Sequence, residues 1–225
     1  MPTSTSSQQA ENTASTSRSG GRPRPSFRWR VVDIVVASVI GVAAGVLFWV
    51  WGMLWPAFQT LSAVSPGLGG LMAGGWLFAG VLGAIIIRKP GAALYTEIVA
   101  ALVSMAVGTQ WGFETLIWGV VQGAAIELGF AVLLYANWRL VGALVAGAFG
   151  GLSTGLLDTN FSSIAAFSLD VRLIYIACTI TSGILIAGFL SWVIARAIAA
   201  TGALDRFASG REARKVQHAS DPDAA

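Results

Sequence analysis

Thirteen of the fourteen lysine and arginine residues fall on one side once six long apolar stretches are taken as membrane-spanning helices. Only Arg172 lies on the other side. Such sorting is the positive-inside bias of membrane proteins, whose cytoplasmic connections carry the excess of basic residues. The pattern predicts an all-α integral membrane protein, a six-transmembrane-helix bundle with both termini in the cytoplasm.

The predicted spans are separated by connections of unequal length. A helix needs about 20 residues to cross a hydrocarbon core of about 30 Å. Six segments approach this length, at residues 31–55, 68–87, 91–107, 115–136, 140–157 and 171–195. The connections on the basic side have three residues each, whereas those on the outer side have seven to thirteen. Longer loops can close over a cavity, so we expect function at the outer face.

The composition agrees with one membrane domain flanked by polar ends. The chain is 55% hydrophobic and 11% charged, whereas about a quarter of the residues in a soluble domain are charged. We predict a disordered basic segment over residues 1–30, the six-helix domain over 31–200, and a polar cytoplasmic tail over 201–225. The basic residues of these ends are expected to contact lipid headgroups and not nucleic acid.

Several kinds of chemistry are excluded by residues that the sequence lacks. The single cysteine, Cys178, cannot form an intrachain disulfide, and the lone His218 lies in the polar tail, away from any nucleophile. The chain has no Gly-Lys-Ser/Thr phosphate-binding loop and no cluster of His, Cys and carboxylates with metal-ligand spacing. We therefore expect no enzyme activity, no ATP hydrolysis by this chain and no cofactor.

Two carboxylates, Glu97 and Glu127, lie inside predicted spans, where a charge costs at least a few kcal/mol. Gln122 lies about 140° around the helix from Glu127, so the two could line opposite walls of a pocket. Gly119 and Gly123 share the Glu127 face and would leave space there. The alternative is that either glutamate is hydrogen-bonded to a neighbouring helix and only stabilises the bundle.

The nine tryptophans are concentrated towards the outer side. Five map to the outer third and one to mid-depth, namely Trp49, Trp51, Trp55, Trp111 and Trp118, with Trp76 deeper. Interfacial belts explain only part of this set. Aromatic faces beside a carboxylate suit a flat cationic heterocycle, through stacking and cation–π contacts of about 0.5–2 kcal/mol each.

Small residues recur at helical spacing in several spans. In lipid such ridges let two helix backbones approach closely and pack by dispersion. We expect most of them, including Gly147, Gly151 and Gly155 in the fifth span, to be internal contacts. The ridge in the first span is the best candidate for contact with another protein, and it consists of Ala37, Gly41 and Gly45.

Three motifs occur in a fixed order between residues 80 and 127. They are Arg88-Lys89-Pro90-Gly91 followed by Glu97, then Gln110-Trp111-Gly112, then Gln122-Gly123 with Glu127. This arrangement resembles the YkoE-type substrate-binding subunits, or S components, of energy-coupling-factor transporters, over residues 28 to about 200. The resemblance implies a subunit of the bacterial plasma membrane that captures thiamine or its hydroxymethylpyrimidine precursor from outside. It also implies association with a transmembrane coupling subunit and cytoplasmic ATPase subunits, and toppling of the loaded subunit in the membrane.

Residue roles follow from the motifs together with the resemblance. We predict stacking by Trp55, Trp76 and Trp111, recognition of charge or an amino group by Glu97 and Glu127, and contact with a pyrimidine edge by Gln122. Ala37, Gly41 and Gly45 are the predicted contact with the coupling subunit, although the family uses an alanine ridge there. Two other functions stay open, a self-sufficient proton-coupled carrier that uses Glu97 and Glu127 and a non-transporting membrane scaffold.

Overall fold

The computed structural model describes residues 27–62 and 65–202, and these form a helical bundle with no β-strand among them. In chain order the elements are α1 (Val31–Met53), α2 (Trp55–Ser62), a 3₁₀ helix (Pro66–Trp76), α3 (Phe78–Ile87), α4 (Ala92–Val107), α5 (Glu114–Val132), α6 (Leu140–Phe161), a 3₁₀ turn (Ser163–Ala166), α7 (Leu169–Ser182), a π-helix (Gly183–Leu190) and α8 (Ser191–Ala200). The predicted N-terminal segment and tail lie mostly outside the described residues.

The described helices provide the expected membrane crossings. Five segments are long and apolar enough to span a bilayer, namely Val31–Met53, Pro66–Ile87, Glu114–Val132, Leu140–Phe161 and Leu169–Ala200. The remaining predicted span is α4, which is apolar but has only 16 residues. The all-helical multi-span fold is therefore confirmed. The side of the membrane on which the termini lie stays a prediction.

Two span ends differ from the predicted boundaries for local reasons. The outer connection predicted at 56–67 is partly helical, because α2 begins beside Pro56 and a proline in the first turn removes no helical hydrogen bond. At the other end of the bundle, α5 stops at Val132. Leu134 and Tyr135 then take left-handed backbone conformations, with φ of 51° and 54°, so the helix cannot continue to residue 136.

The second span, Pro66–Ile87, begins as a 3₁₀ helix, whereas we predicted an α-helix over its whole length. Its glycines allow direct contact with the backbone of the last span. A Cβ atom on Gly70 would lie 2.5 Å from the carbonyl oxygen of Tyr175, and one on Gly74 would lie 2.5 Å from that of Ser182. The Gly74 N–H also donates to the Ser182 hydroxyl at 2.9 Å. These contacts hold the 3₁₀ segment against α7.

The ridge on α1 that we predicted to meet a coupling subunit is buried within the chain. Ala37, Gly41 and Gly45 are all buried, and α4 packs against the two glycines. A Cβ atom on Gly41 would lie 2.7 Å from Val99, and one on Gly45 would lie 2.6 Å from the carbonyl oxygen of Ala100. The prediction is corrected accordingly, because the small residues admit α4 and leave no groove for another protein.

The glycine ridge on α6 packs against the last span, as expected for an internal contact. A Cβ atom on Gly147 would lie 2.2 Å from the carbonyl oxygen of Gly183, where the π-helix begins. One on Gly151 would lie 2.3 Å from the carbonyl oxygen of Thr179. The two backbones therefore touch with no side chain between them.

Hydrogen bonds hold residues 27–30 against the turn between α3 and α4. We call this end of the bundle the basic end. The Asp33 carboxylate is fully buried, caps α1 by accepting the Arg30 N–H at 2.8 Å, and pairs with the Lys89 ammonium at 2.5 Å. Lys89 also donates to the carbonyl oxygen of Arg28. The Trp29 indole N–H donates to a carbonyl oxygen of the same turn at 3.0 Å. This end is closed by hydrogen bonds and ion pairs.

Candidate ligand-binding site

A cavity of about 760 Å³ lies at the end of the bundle opposite the basic end. Its walls come from α1, α2, the first 3₁₀ helix and α4 on one side, and from α5, α6, the 163–166 turn and α7 on the other. The volume is within the range of about 300–1,000 Å³ that is typical of small-molecule sites. The predicted location of function at the face with the longer connections agrees with this placement.

Three indole rings form one aromatic wall of the cavity. Trp55 of α2, Trp76 at the end of the 3₁₀ helix and Trp111 before α5 all line it. Each ring contacts the other two edge to face, with centroid separations of 6.0 Å for Trp55 and Trp76, 6.1 Å for Trp55 and Trp111, and 5.4 Å for Trp76 and Trp111. Edge-to-face contact is a favoured geometry for aromatic pairs. The wall is preassembled.

The Glu97 side chain is a polar group on the α4 wall of the cavity. It is fully buried, and its Oε2 accepts the backbone N–H of Gly80 at 2.6 Å. Gly80 lies in the first turn of α3, where N–H groups lack partners within the helix. Gly80 and Gly123 make room for the glutamate, because a Cβ atom on either would lie 3.0 Å and 2.9 Å from its atoms. The Oε1 atom has no hydrogen-bond partner among the described residues.

A second polar atom of the cavity is also left without a partner. Thr115 lines the cavity, and its buried hydroxyl makes no hydrogen bond to any described residue. In contrast, the neighbouring Gln122 is engaged, since its Nε2 donates to the Thr154 hydroxyl at 2.9 Å. Most buried polar atoms in proteins have a partner, so two exceptions in one cavity call for a physical reason.

The outer part of the cavity contains an acid that the sequence analysis missed. Asp158 lies in the last turn of α6, and its Oδ1 accepts the indole N–H of Trp118 at 2.9 Å. Its Oδ2 accepts the Tyr175 hydroxyl at 2.7 Å. All three side chains line the cavity. The sequence predicts that this span ends at residue 157, whereas the helix continues to Phe161 and puts Asp158 one turn after Thr154 on the same face.

The structure brings five of the six predicted binding residues to one cavity. They are Trp55, Trp76, Glu97, Trp111 and Gln122. Glu127 is not among the lining residues. Its face of α5, which also carries Gly119 and Gly123, packs along α4, so these glycines make room for α4 and not for a pocket at Glu127.

Glu127 instead caps α4 at the basic end. Its two carboxylate oxygens accept the backbone N–H groups of Gly91 at 2.7 Å and Ala93 at 3.0 Å. A carboxylate at a helix N-terminus is stabilising because free N–H groups and the helix dipole both favour negative charge there. Nearby, burial raises the pKa of Tyr135 to about 12, and the Glu127 carboxylate adds to this rise. The environment of Glu127 is that of a structural acid.

Comparison with known proteins points to one family. Residues 32–153 match a family model described as the permease component of an ABC-type cobalt transport system. The chain is 33% identical over 192 residues to a protein of Bacillus subtilis (strain 168) named as an HMP/thiamine permease, YkoE, covering 83% of this chain and 93% of that protein. A crystal structure described as an S-component of an ECF transporter has a TM-score of 0.81 and 31% identity, over 88% of this chain and 100% of that one.

The similarity covers sequence and fold over nearly the whole of both chains. S components are multi-pass proteins of the cell membrane that bind a substrate and work with coupling and ATPase subunits, and they are not enzymes. The helical bundle, with a cavity towards one end, agrees with that architecture. This chain therefore belongs to the S components of energy-coupling-factor transporters, in the family of YkoE.

Proposed function

We propose that this S component captures thiamine or its hydroxymethylpyrimidine precursor in the cavity between α1, α4, α5 and α6. The relative named as an HMP/thiamine permease supports this choice of ligand. The composition of the cavity supports it as well, because three indole rings and buried acids suit an aromatic, amine-bearing or cationic molecule. The named cobalt transport family suggests another cargo, but the described part of the chain has no group of three or more His, Cys, Asp or Glu placed so that it could hold a metal ion.

The observation that carries the proposal is the pair of buried polar atoms without partners. Glu97 Oε1 and Thr115 Oγ1 both belong to residues that line the cavity. Leaving a buried acceptor unsatisfied costs about 1–3 kcal/mol, which a bound ligand can recover by hydrogen bonding. An aminopyrimidine offers an N–H donor for the glutamate and ring nitrogens that accept from a hydroxyl. A flat heterocycle could make both contacts while stacking on indole.

The direct test is ligand binding to the purified protein in detergent without ATP. We expect thiamine or hydroxymethylpyrimidine to quench tryptophan fluorescence and to raise the unfolding temperature. Trp111→Ala and Glu97→Gln should each weaken binding at least about tenfold, which corresponds to about 1.4 kcal/mol. Trp192→Phe is the matched control for the indole, because Trp192 lies on α8 and does not line the cavity. Binding that survives unchanged in both cavity variants would refute the proposal.

A second experiment separates the alternatives. Liposomes that contain only this chain should show no uptake driven by a pH gradient, whereas a proton-coupled carrier would show it. Adding the coupling and ATPase subunits with ATP should then give uptake. A scaffold without a ligand would give no thermal shift with either compound. The packing of Glu127 against the α4 N-terminus, away from Glu97 and the cavity, gives no support to a proton path through both acids.

A further inference from the structure

We propose that the carboxylates of the cavity, Asp158 foremost, select for ligands without a phosphate group. This inference rests on the proposed function and adds a specificity to it. The described lining residues include three acids, Glu97, Glu114 and Asp158, and among them there is no lysine, arginine or histidine. A phosphate ester placed in such a cavity meets like charge and finds no basic partner.

The charge of Asp158 is held in place without being neutralised by a cation. Its two oxygens accept hydrogen bonds from Trp118 and Tyr175, which are uncharged. The ion pairs found in the described residues involve Asp33 at the basic end, far along the bundle from Asp158. Arg172, near the start of α7, is the one basic residue that the sequence places on the outer side, and it does not line the cavity. A phosphate in the cavity would therefore meet this acid with no basic side chain of the lining to compensate.

The inner part of the cavity also offers no partner for a phosphate. Glu97 is fully buried, its Oε1 has no partner among the described residues, and no lysine, arginine or histidine lines the cavity beside it. Phosphate oxygens are acceptors and carry about −1.5 to −2 charges near neutral pH. Glu97 at the inner end and Asp158 at the outer end thus disfavour an ester at either end of the ligand.

The test compares thiamine with thiamine monophosphate on the full chain in detergent, by titration calorimetry. The wild type should bind thiamine at least about tenfold more tightly than the ester, or about 1.4 kcal/mol. Asp158→Asn should reduce the ratio of the two affinities, thiamine over thiamine monophosphate, at least threefold, because asparagine has the size of aspartate but no charge. Asp170→Asn is the control, since that acid is solvent-exposed and outside the cavity and should leave the ratio unchanged.

A further variant keeps the proposal falsifiable. Glu114→Gln, at an exposed position of the rim, should narrow the ratio even if Asp158→Asn does not fold. Equal affinity of the wild type for thiamine and its ester would overturn this inference alone. Failure of the wild type to bind either thiamine or hydroxymethylpyrimidine would overturn the proposed function together with it.

Discussion

Replacing Glu127 by glutamine should destabilise the protein and leave ligand affinity nearly unchanged. The carboxylate now accepts two backbone N–H groups, from Gly91 at 2.7 Å and from Ala93 at 3.0 Å. Glutamine has one carbonyl oxygen, so at most one of these bonds survives. Its NH₂ group is a donor and would face the other N–H without a partner.

The expected cost follows from the bond that is lost. A hydrogen bond to a charged group contributes about 1.5–3 kcal/mol, and a carboxylate in the first turn of a helix adds a further fraction of a kcal/mol through the dipole. Glu127 is only partly buried, so water can replace part of the lost contact. We therefore expect the free energy of unfolding to fall by about 2 kcal/mol, measured by denaturant or thermal unfolding in detergent. Thiamine affinity should stay within about twofold of the wild type.

The reciprocal variant makes the test decisive. Glu97→Gln changes the same chemical group inside the cavity, and it should reduce ligand affinity at least about tenfold while Glu127→Gln does not. If Glu127→Gln abolished binding with no change in stability, Glu127 would be a ligand-contact residue. The assignment of that residue as a helix cap would then be refuted.

Three further substitutions test the packing, each by its unfolding midpoint in detergent against the wild type. Gly75→Ala should cost about 1–3 kcal/mol, because its Cβ would lie 2.1 Å from the Trp51 indole; a smaller loss would mean that the ring can move. Lys89→Met should cost about 3–5 kcal/mol by leaving the buried Asp33 with less positive charge, and adding Asp33→Asn should restore most of this loss. Gly108→Ala should cost about 1–2 kcal/mol through backbone strain at φ +106° alone, since nothing lies within 4 Å of the new Cβ.

The number and order of the spans could be predicted because hydrophobicity and the placement of basic residues are properties of whole segments. The 3₁₀ helix at the start of the second span could not be predicted, because it depends on the contact of Gly70 and Gly74 with the last span. Small residues predict close approach but not which helix approaches. The ridge at Gly41 and Gly45 is therefore visible in the sequence, while its partner, α4, is not.

The sequence indicated which residue types line the cavity and at what depth, but it did not indicate their rotation about a helix axis. That these residues bind a ligand stays a prediction. Gln122 and Glu127 are five residues apart on α5, and only the packed bundle shows that the first turns to the cavity and the second to the α4 N-terminus. Asp158 was missed because an acid after an apolar run suggests the end of a span. Its burial becomes possible through Trp118 and Tyr175, which are distant in sequence.

The contact between α1 and α4 has a mechanical consequence. At Gly41 and Gly45 the backbone of α1 lies against backbone carbonyl oxygens of α4 and against Val99 and Val103, whose branched side chains have little rotational freedom. Closely packed interfaces of this kind resist continuous deformation. The two helices should therefore tilt together as one rigid unit. A displacement of α1 would then also move Glu97, which lies on α4 and lines the cavity.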